Sequence, residues 1–143
     1  MGKLITAKTF IIIAAIICFT GCNENINGSI VTNESVIINN SLYASTITDN
    51  YTITDVKLEN DILTVKISSS GCSRDSWQAF LVDANEILES YPVQRNIKLA
   101  LDNKEACLAI FEKEFTFNLS VLKEDFSELY LNLDGWNNPI HYK

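Results

Sequence analysis

The chain has 143 residues, 47 % of them apolar, and a net charge of −7 from 11 basic and 18 acidic residues. That length supports one domain with a real core rather than two. All the acids follow residue 21 while Lys3 and Lys8 precede it, so a chain starting at Cys22 carries nine bases against eighteen acids, a net −9. No basic stripe remains, and nucleic acid is excluded as a partner on electrostatic grounds.

Residues 1–21 have the three parts of an export signal: Lys3 and Lys8 as a positive start, an apolar run from Phe10 to Phe19, and the small pair Thr20-Gly21. A membrane-spanning helix is the alternative. The 13 residues from Thr9 to Gly21 fall short of the roughly 20 needed to cross about 30 Å of hydrocarbon. A core helix this apolar on every face would need protein all round it, which a chain of this size does not supply. The run therefore reads as a segment that is removed.

Phe19-Thr20-Gly21-Cys22 resembles the lipobox of bacterial lipoproteins: a bulky apolar residue, two small ones, then an obligatory cysteine. The resemblance covers the first 22 residues. It implies that Cys22 is joined by thioether to a diacylglycerol and that signal peptidase II cuts before it. Each buried methylene contributes about 0.8 kcal/mol, so two acyl chains hold stably where one is marginal. The expected location is the bacterial cell envelope, with the membrane itself as a partner through the lipid. Asn23 after the anchor resembles lipoproteins passed on to an outer membrane, facing the periplasm or the surface.

With Cys18 lost in the signal and Cys22 taken by lipid, Cys72 and Cys107 remain. Outside the cytoplasm two such cysteines pair. Closing a loop of about 35 residues stabilises by roughly 3.5 kcal/mol in the chain-entropy account. A redox or metal role is the alternative; it lacks a C-x-x-C, and His141 is the sole histidine, so no metal site is expected.

Residues 22–40, rich in Asn, Ser and Thr, read as a lipidated cysteine and flexible tether, with Ile30-Val31 and Val36-Ile37-Ile38 as strand openings near its end. The body is expected over 41–143, with period-two patterning from about Leu42. Tyr51 and Ile53 alternate with threonines, the phase changes near Asp55, and Leu63, Val65 and Ile67 alternate beyond Asn60-Asp61. That predicts a hairpin with a bulge or twist in its first strand. Further strands are expected at 77–83, 95–101, 109–119, 128–134 and 139–143. In the third of these, Phe111, Phe115, Phe117 and Leu119 share a face that only Lys113 interrupts. Two short helical turns are expected, in "DANEILES" before Pro92 and in "NKEACLAIF" near Cys107. The sum is an all-β, antiparallel, immunoglobulin-like sandwich of about seven to eight strands, with a small β-barrel as the alternative.

No catalytic constellation emerges. There is no G-x-S-x-G elbow, H-E-x-x-H or phosphate-cradling glycine loop, and no cofactor is implied. His141 lies three places from the end, and the acid pairs Glu112/Glu114 and Glu124/Asp125 read as solvated faces. Two stretches could carry recognition: "SSSGCSRDSW", with Arg74 and Trp77, and "DGWNNPIHYK", with Trp136 and Tyr142. A Trp beside Arg or Asn suits stacking on a sugar ring or anchoring a protein, whereas an aromatic at a strand boundary also serves as a core plug. Residues 71–142 are similar in pattern to small envelope lipoproteins with a cysteine pair and an all-β body, a likeness that implies no reaction. The expected function is a non-catalytic envelope lipoprotein that binds a protein or glycan or supports an assembly. The alternatives are a small hydrolase or an inhibitor of one, and a carrier of a small apolar molecule.

Overall fold

A computed structural model describes residues 33–34, 36–123 and 126–143. The export signal, Cys22, and the Glu124/Asp125 pair lie outside these described residues. Among the described residues, nine strands and two short helices follow in order: β1 (Asn33–Glu34), β2 (Val36–Ile38), α1 (Asn40–Ser45), β3 (Thr52–Glu59), β4 (Ile62–Gly71), β5 (Gln78–Leu88), β6 (Val93–Asp102), β7 (Ala109–Asn118), α2 (Ser120–Lys123), β8 (Leu129–Leu133) and β9 (Ile140–Tyr142). They form a four-stranded sheet in the order β1-β7-β4-β3 and a five-stranded sheet in the order β2-β5-β6-β8-β9. The architecture is an all-β sandwich, and the sheets do not close into a barrel. β3–β4, β4–β7, β5–β6 and β8–β9 pair antiparallel, while β1–β7, β2–β5 and β6–β8 pair parallel, so both sheets are mixed.

Period-two patterning builds the core. Leu63, Val65 and Ile67 of β4 and Phe115 and Phe117 of β7 point inward from one sheet. Ala79, Leu81, Ile97, Leu99, Leu129, Leu131 and Leu133 meet them from the other. Burying one such Leu or Phe side chain stabilises by about 1.5–3 kcal/mol. The β3–β4 hairpin turns at Asn60-Asp61, with Asn60 at φ 54° as such turns demand. The register shifts between Ile53 and Asp55, leaving Thr54 as the extra residue of the expected bulge.

Four local expectations are corrected. The folded body begins before residue 41, because β1 and β2 add parallel edges to β7 and β5. Residues 40–45 are helix rather than strand: the Asn39 side chain accepts from the Leu42 N–H at 2.9 Å, an N-cap that starts α1. "DANEILES" does not turn into helix, since β5 runs on to Leu88 by pairing with β6 across a bulge, where Asn85 sits at φ 56°. Residues 103–108 near Cys107 are likewise irregular rather than helical.

One polar pair lies within the sandwich. Arg95 grips the fully buried Asp83 bidentately, Nε to Oδ2 at 2.9 Å and Nη2 to Oδ1 at 2.7 Å. Oδ1 also accepts from the Asn85 N–H at 2.7 Å, so the carboxylate holds the β5 bulge in shape. Removing one partner strands a buried charge, whereas removing both need not. Arg95→Met is expected to lower stability in urea unfolding by about 3–5 kcal/mol, and the Asp83→Leu/Arg95→Met double variant by less than the single.

Candidate functional site

The loop carrying Arg74 and Trp77 is a structural clamp. It crosses from β4 to β5, between the sheets, and the link between β6 and β7 crosses back at the same end. The Cys72–Cys107 disulfide joins the two crossings, with the Cα atoms 4.9 Å apart. Beside it, Glu105 Oε2 accepts the backbone N–H groups of Cys72, Ser73 (3.0 Å) and Arg74 (3.2 Å), and Oε1 accepts the Ser76 hydroxyl at 2.6 Å. Successive backbone N–H groups form an anion-binding concavity, here filled by the chain's own carboxylate. The Ser76 hydroxyl first, then the Ser73, Cys72 and Arg74 amides, hold the Glu105 carboxyl down at about 2. A Cβ at Gly71 would sit 2.5 Å from Glu105 Oε2 and 2.9 Å from the Trp77 ring, so only glycine fits there.

Trp77 is 2 % exposed and plugs the core, so it offers no face to a partner. Its indole N–H has no partner among the described residues. Lys113, the interruption in the apolar face of β7, donates to the carbonyls of Trp77 (2.7 Å) and Arg74 (3.2 Å) and lies over the Phe115 ring. Arg74 itself is exposed, with Nη1 donating to the Glu112 carbonyl at 2.7 Å. An open hollow of about 380 Å³ runs past Lys66, Arg74, Glu112 and Glu114. Lys113 lines it as well, and within it Lys66 is paired to Glu112 at 2.8 Å.

The C-terminal stretch is different. Gly135 at φ 82° makes the turn after β8, closed by the Trp136 N–H on the Leu133 carbonyl at 3.0 Å. The turn leaves Trp136 half-buried, packed on the core along part of its surface. Around it a hollow of about 260 Å³ is lined by Tyr43, Asn96, Asn132, Asp134 and Trp136. Asn96 and Asn132 come from parallel neighbours β6 and β8, which the register sets side by side. The Asn132 amide nitrogen donates to Gln94 Oε1 (3.1 Å) and Asn96 Oδ1 (3.2 Å), making a triad of amides. Asp134 Oδ2 accepts the Thr48 hydroxyl at 2.7 Å. Burial first, then the Asp134 carboxylate, pushes the Tyr43 phenol up, so it stays a neutral donor. The nearby Lys98 ammonium is spent on the carbonyls of Tyr43 and Thr46 and on the Tyr43 ring.

Tyr142, expected alongside Trp136 as a binding residue, is fully buried, and its hydroxyl donates to Asp61 Oδ1 at 2.7 Å. It locks the last strand to the β3–β4 turn instead. His141 points outward, stacked on Tyr130 at 4.7 Å between centroids, with Nε2 3.1 Å from Glu128 Oε2. Of the four residues expected to bind, Trp77 and Tyr142 are buried, Arg74 borders the charged hollow beside Lys66 and Glu112, and Trp136 borders the hollow of amides. Its companions Tyr43, Asn96, Asn132 and Asp134 were not singled out. The available signal was the run of uncharged amides alternating with core residues in "VQRNIKLAL" and "LYLNLD".

No family model matches the chain, and no curated protein matches it. Among solved structures it is similar to a protein of unknown function, DUF1344, from Bacteroides vulgatus, with a TM-score of 0.53 and 15 % identity over 78 % of this chain and 56 % of that one. It also aligns with a toxin-related protein from Parabacteroides distasonis, with a TM-score of 0.47 and 13 % identity over 77 % of this chain and 59 % of that one. The chain thus spans under two thirds of either neighbour. The first likeness supports the all-β sandwich and nothing finer.

The clamp carries a pH signature. A carboxyl whose folded pKa is depressed stabilises above its unfolded value, near 4.3, and loses that contribution as the pH falls through the folded one. Stability contributed by Glu105 is therefore complete above about pH 4.5 and lost toward pH 2, the value to which its partners hold it. Glu105→Gln is expected to flatten this part of the acid-unfolding profile, read by circular dichroism between pH 5 and pH 2.

Proposed function

We propose that this chain is an envelope lipoprotein, tethered by a diacylated Cys22, whose sandwich binds a sugar ring in the Trp136 hollow without doing chemistry on it. The tether reading is supported by the resemblance of Phe19-Thr20-Gly21-Cys22 to a lipobox. The binding reading rests on one observation: a half-buried indole stands at the wall of a hollow whose polar lining is two amides, a phenol and a single carboxylate, with Leu133 and Gly135 completing the wall. An aromatic face takes the apolar face of a pyranose, while amide and carboxylate groups take its hydroxyls. At about 260 Å³ the hollow lies just below the usual range for drug-sized ligands, a size suited to one sugar unit.

A non-catalytic role is supported by what surrounds the hollow. His141 is engaged with Glu128 and Tyr130 and does not line it, and Asp134 is its one carboxylate.

Two measurements test this reading. Mass spectrometry of the protein from its native membrane is expected to give a mature start at residue 22 with acyl mass on the cysteine; an unmodified start elsewhere contradicts the tether. Titration with neutral hexoses, followed by calorimetry, is expected to show binding that Trp136→Ala weakens by about tenfold or more. Trp136→Tyr should retain most of it, because the stacking face survives. Equal affinity in the parent and Trp136→Ala proteins contradicts the assignment.

A further inference from the structure

The hollow opens onto a larger surface of one character. On the outer face of the five-stranded sheet, register places Asn96 beside Asn132, then Gln94 beside Tyr130, and Tyr130 beside His141. Successive outward residues on a strand are about 6.7 Å apart and neighbouring strands about 4.8 Å apart. The Trp136 hollow, the amide triad and the Tyr130–His141 pair therefore form one continuous platform across β6, β8 and β9. The rings of Tyr130 and His141 stack at 4.7 Å, close to the strand spacing.

The platform is rich in unspent hydrogen-bonding groups. Asn132 spends its amide nitrogen on the oxygens of Gln94 and Asn96. Among the described residues, the amide nitrogens of Gln94 and Asn96, the amide oxygen of Asn132 and the Tyr130 hydroxyl have no protein partner. A ligand dense in hydroxyls satisfies both kinds of group at once. Charge narrows the class. The face carries the carboxylates Asp134 and Glu128, while its cations are occupied: Lys98 by carbonyls and the Tyr43 ring, His141 by Glu128. Along the path from the Trp136 hollow to Tyr130 an acidic glycan would meet Asp134 and Glu128 with the Lys98 ammonium already held by carbonyls, and Lys143 lies beyond His141, past the end of that path, so the complementary ligand is uncharged. The outer face of the other sheet contrasts with this, carrying self-paired ions such as Lys57–Glu59 and Lys66–Glu112.

We infer that the site takes an uncharged linear oligosaccharide, one unit in the Trp136 hollow and further units laid across the Gln94–Asn96–Asn132 triad to Tyr130. This extends the sugar-ring reading above and rests on it. Each added unit gains hydrogen bonds of modest net strength, so affinity grows with chain length until the platform is covered.

The test is calorimetry on the full chain in detergent micelles, with cello- and chito-oligosaccharides of one to five units and oligogalacturonates as the acidic comparison. Affinity is expected to rise about tenfold or more from one unit to four, with oligogalacturonates binding more weakly. Tyr130→Phe should remove most of that rise while leaving single-unit affinity unchanged, with circular dichroism confirming the fold. Equal affinity for one and four units overturns the extended site; if Trp136→Ala still weakens single-unit binding, the sugar-ring reading stands. Tighter binding of the acidic oligomers overturns the uncharged class. Failure of every sugar to bind removes both readings and leaves the face to a protein partner.

Discussion

Everything on the surface of this molecule follows from one buried layer. Leu63, Val65, Ile67, Phe115 and Phe117 face Leu81, Ile97, Leu99, Leu129 and Leu131 across the gap between the sheets, and all are shut off from water. Because strand side chains alternate, fixing the inward set fixes the outward set, and a slip of one residue would exchange them. The amides of β6 and β8 stand outside together because Ile97, Leu131 and Leu133 must stand inside. The candidate binding face is thus a consequence of core packing on its other side.

Polar contacts close the ends of that layer. At one end, the disulfide and the Glu105 carboxylate tie together the two crossings between sheets, while Lys113 fastens the first crossing to β7. Arg74 of the first crossing also caps the Glu112 carbonyl of β7, where exposed strand backbone would otherwise invite pairing with another chain. Within the layer, Asp83 and Arg95 neutralise each other at the β5 bulge. Tyr142, buried from the last strand, reaches Asp61 in the β3–β4 turn. The free aromatic, Trp136, belongs to none of these closures.

How much was legible in the sequence depended on the range of the interaction. Local signals read true: the Asn60-Asp61 turn, the phase change near Asp55, and the alternation of β7 and β8 all depend on neighbours within a few residues. The cysteine pairing was legible because two thiols were left after the resemblance had assigned the others. The N-cap at Asn39 was hidden in an Asn-rich stretch that reads equally well as tether, and the continuation of β5 depended on a partner strand and on Arg95. Trp77 and Trp136 sit in similar local contexts, and only the close approach of Gly71 and Glu105 explains why one is core and the other half-exposed. The amide triad was least legible, because it needs the parallel β6–β8 pairing between residues 36–38 positions apart.

The two outer faces make the account sharply testable, since one is a lattice of paired charges and the other a platform of amides and rings. The most direct measurement is hydrogen exchange of the full chain with and without cellotetraose, read residue by residue. The account predicts slowed exchange confined to residues 94–98 and 130–136, with β3, β4 and β7 unchanged. Slowing over the Lys66–Glu112 face instead, or none at saturating sugar, would contradict it.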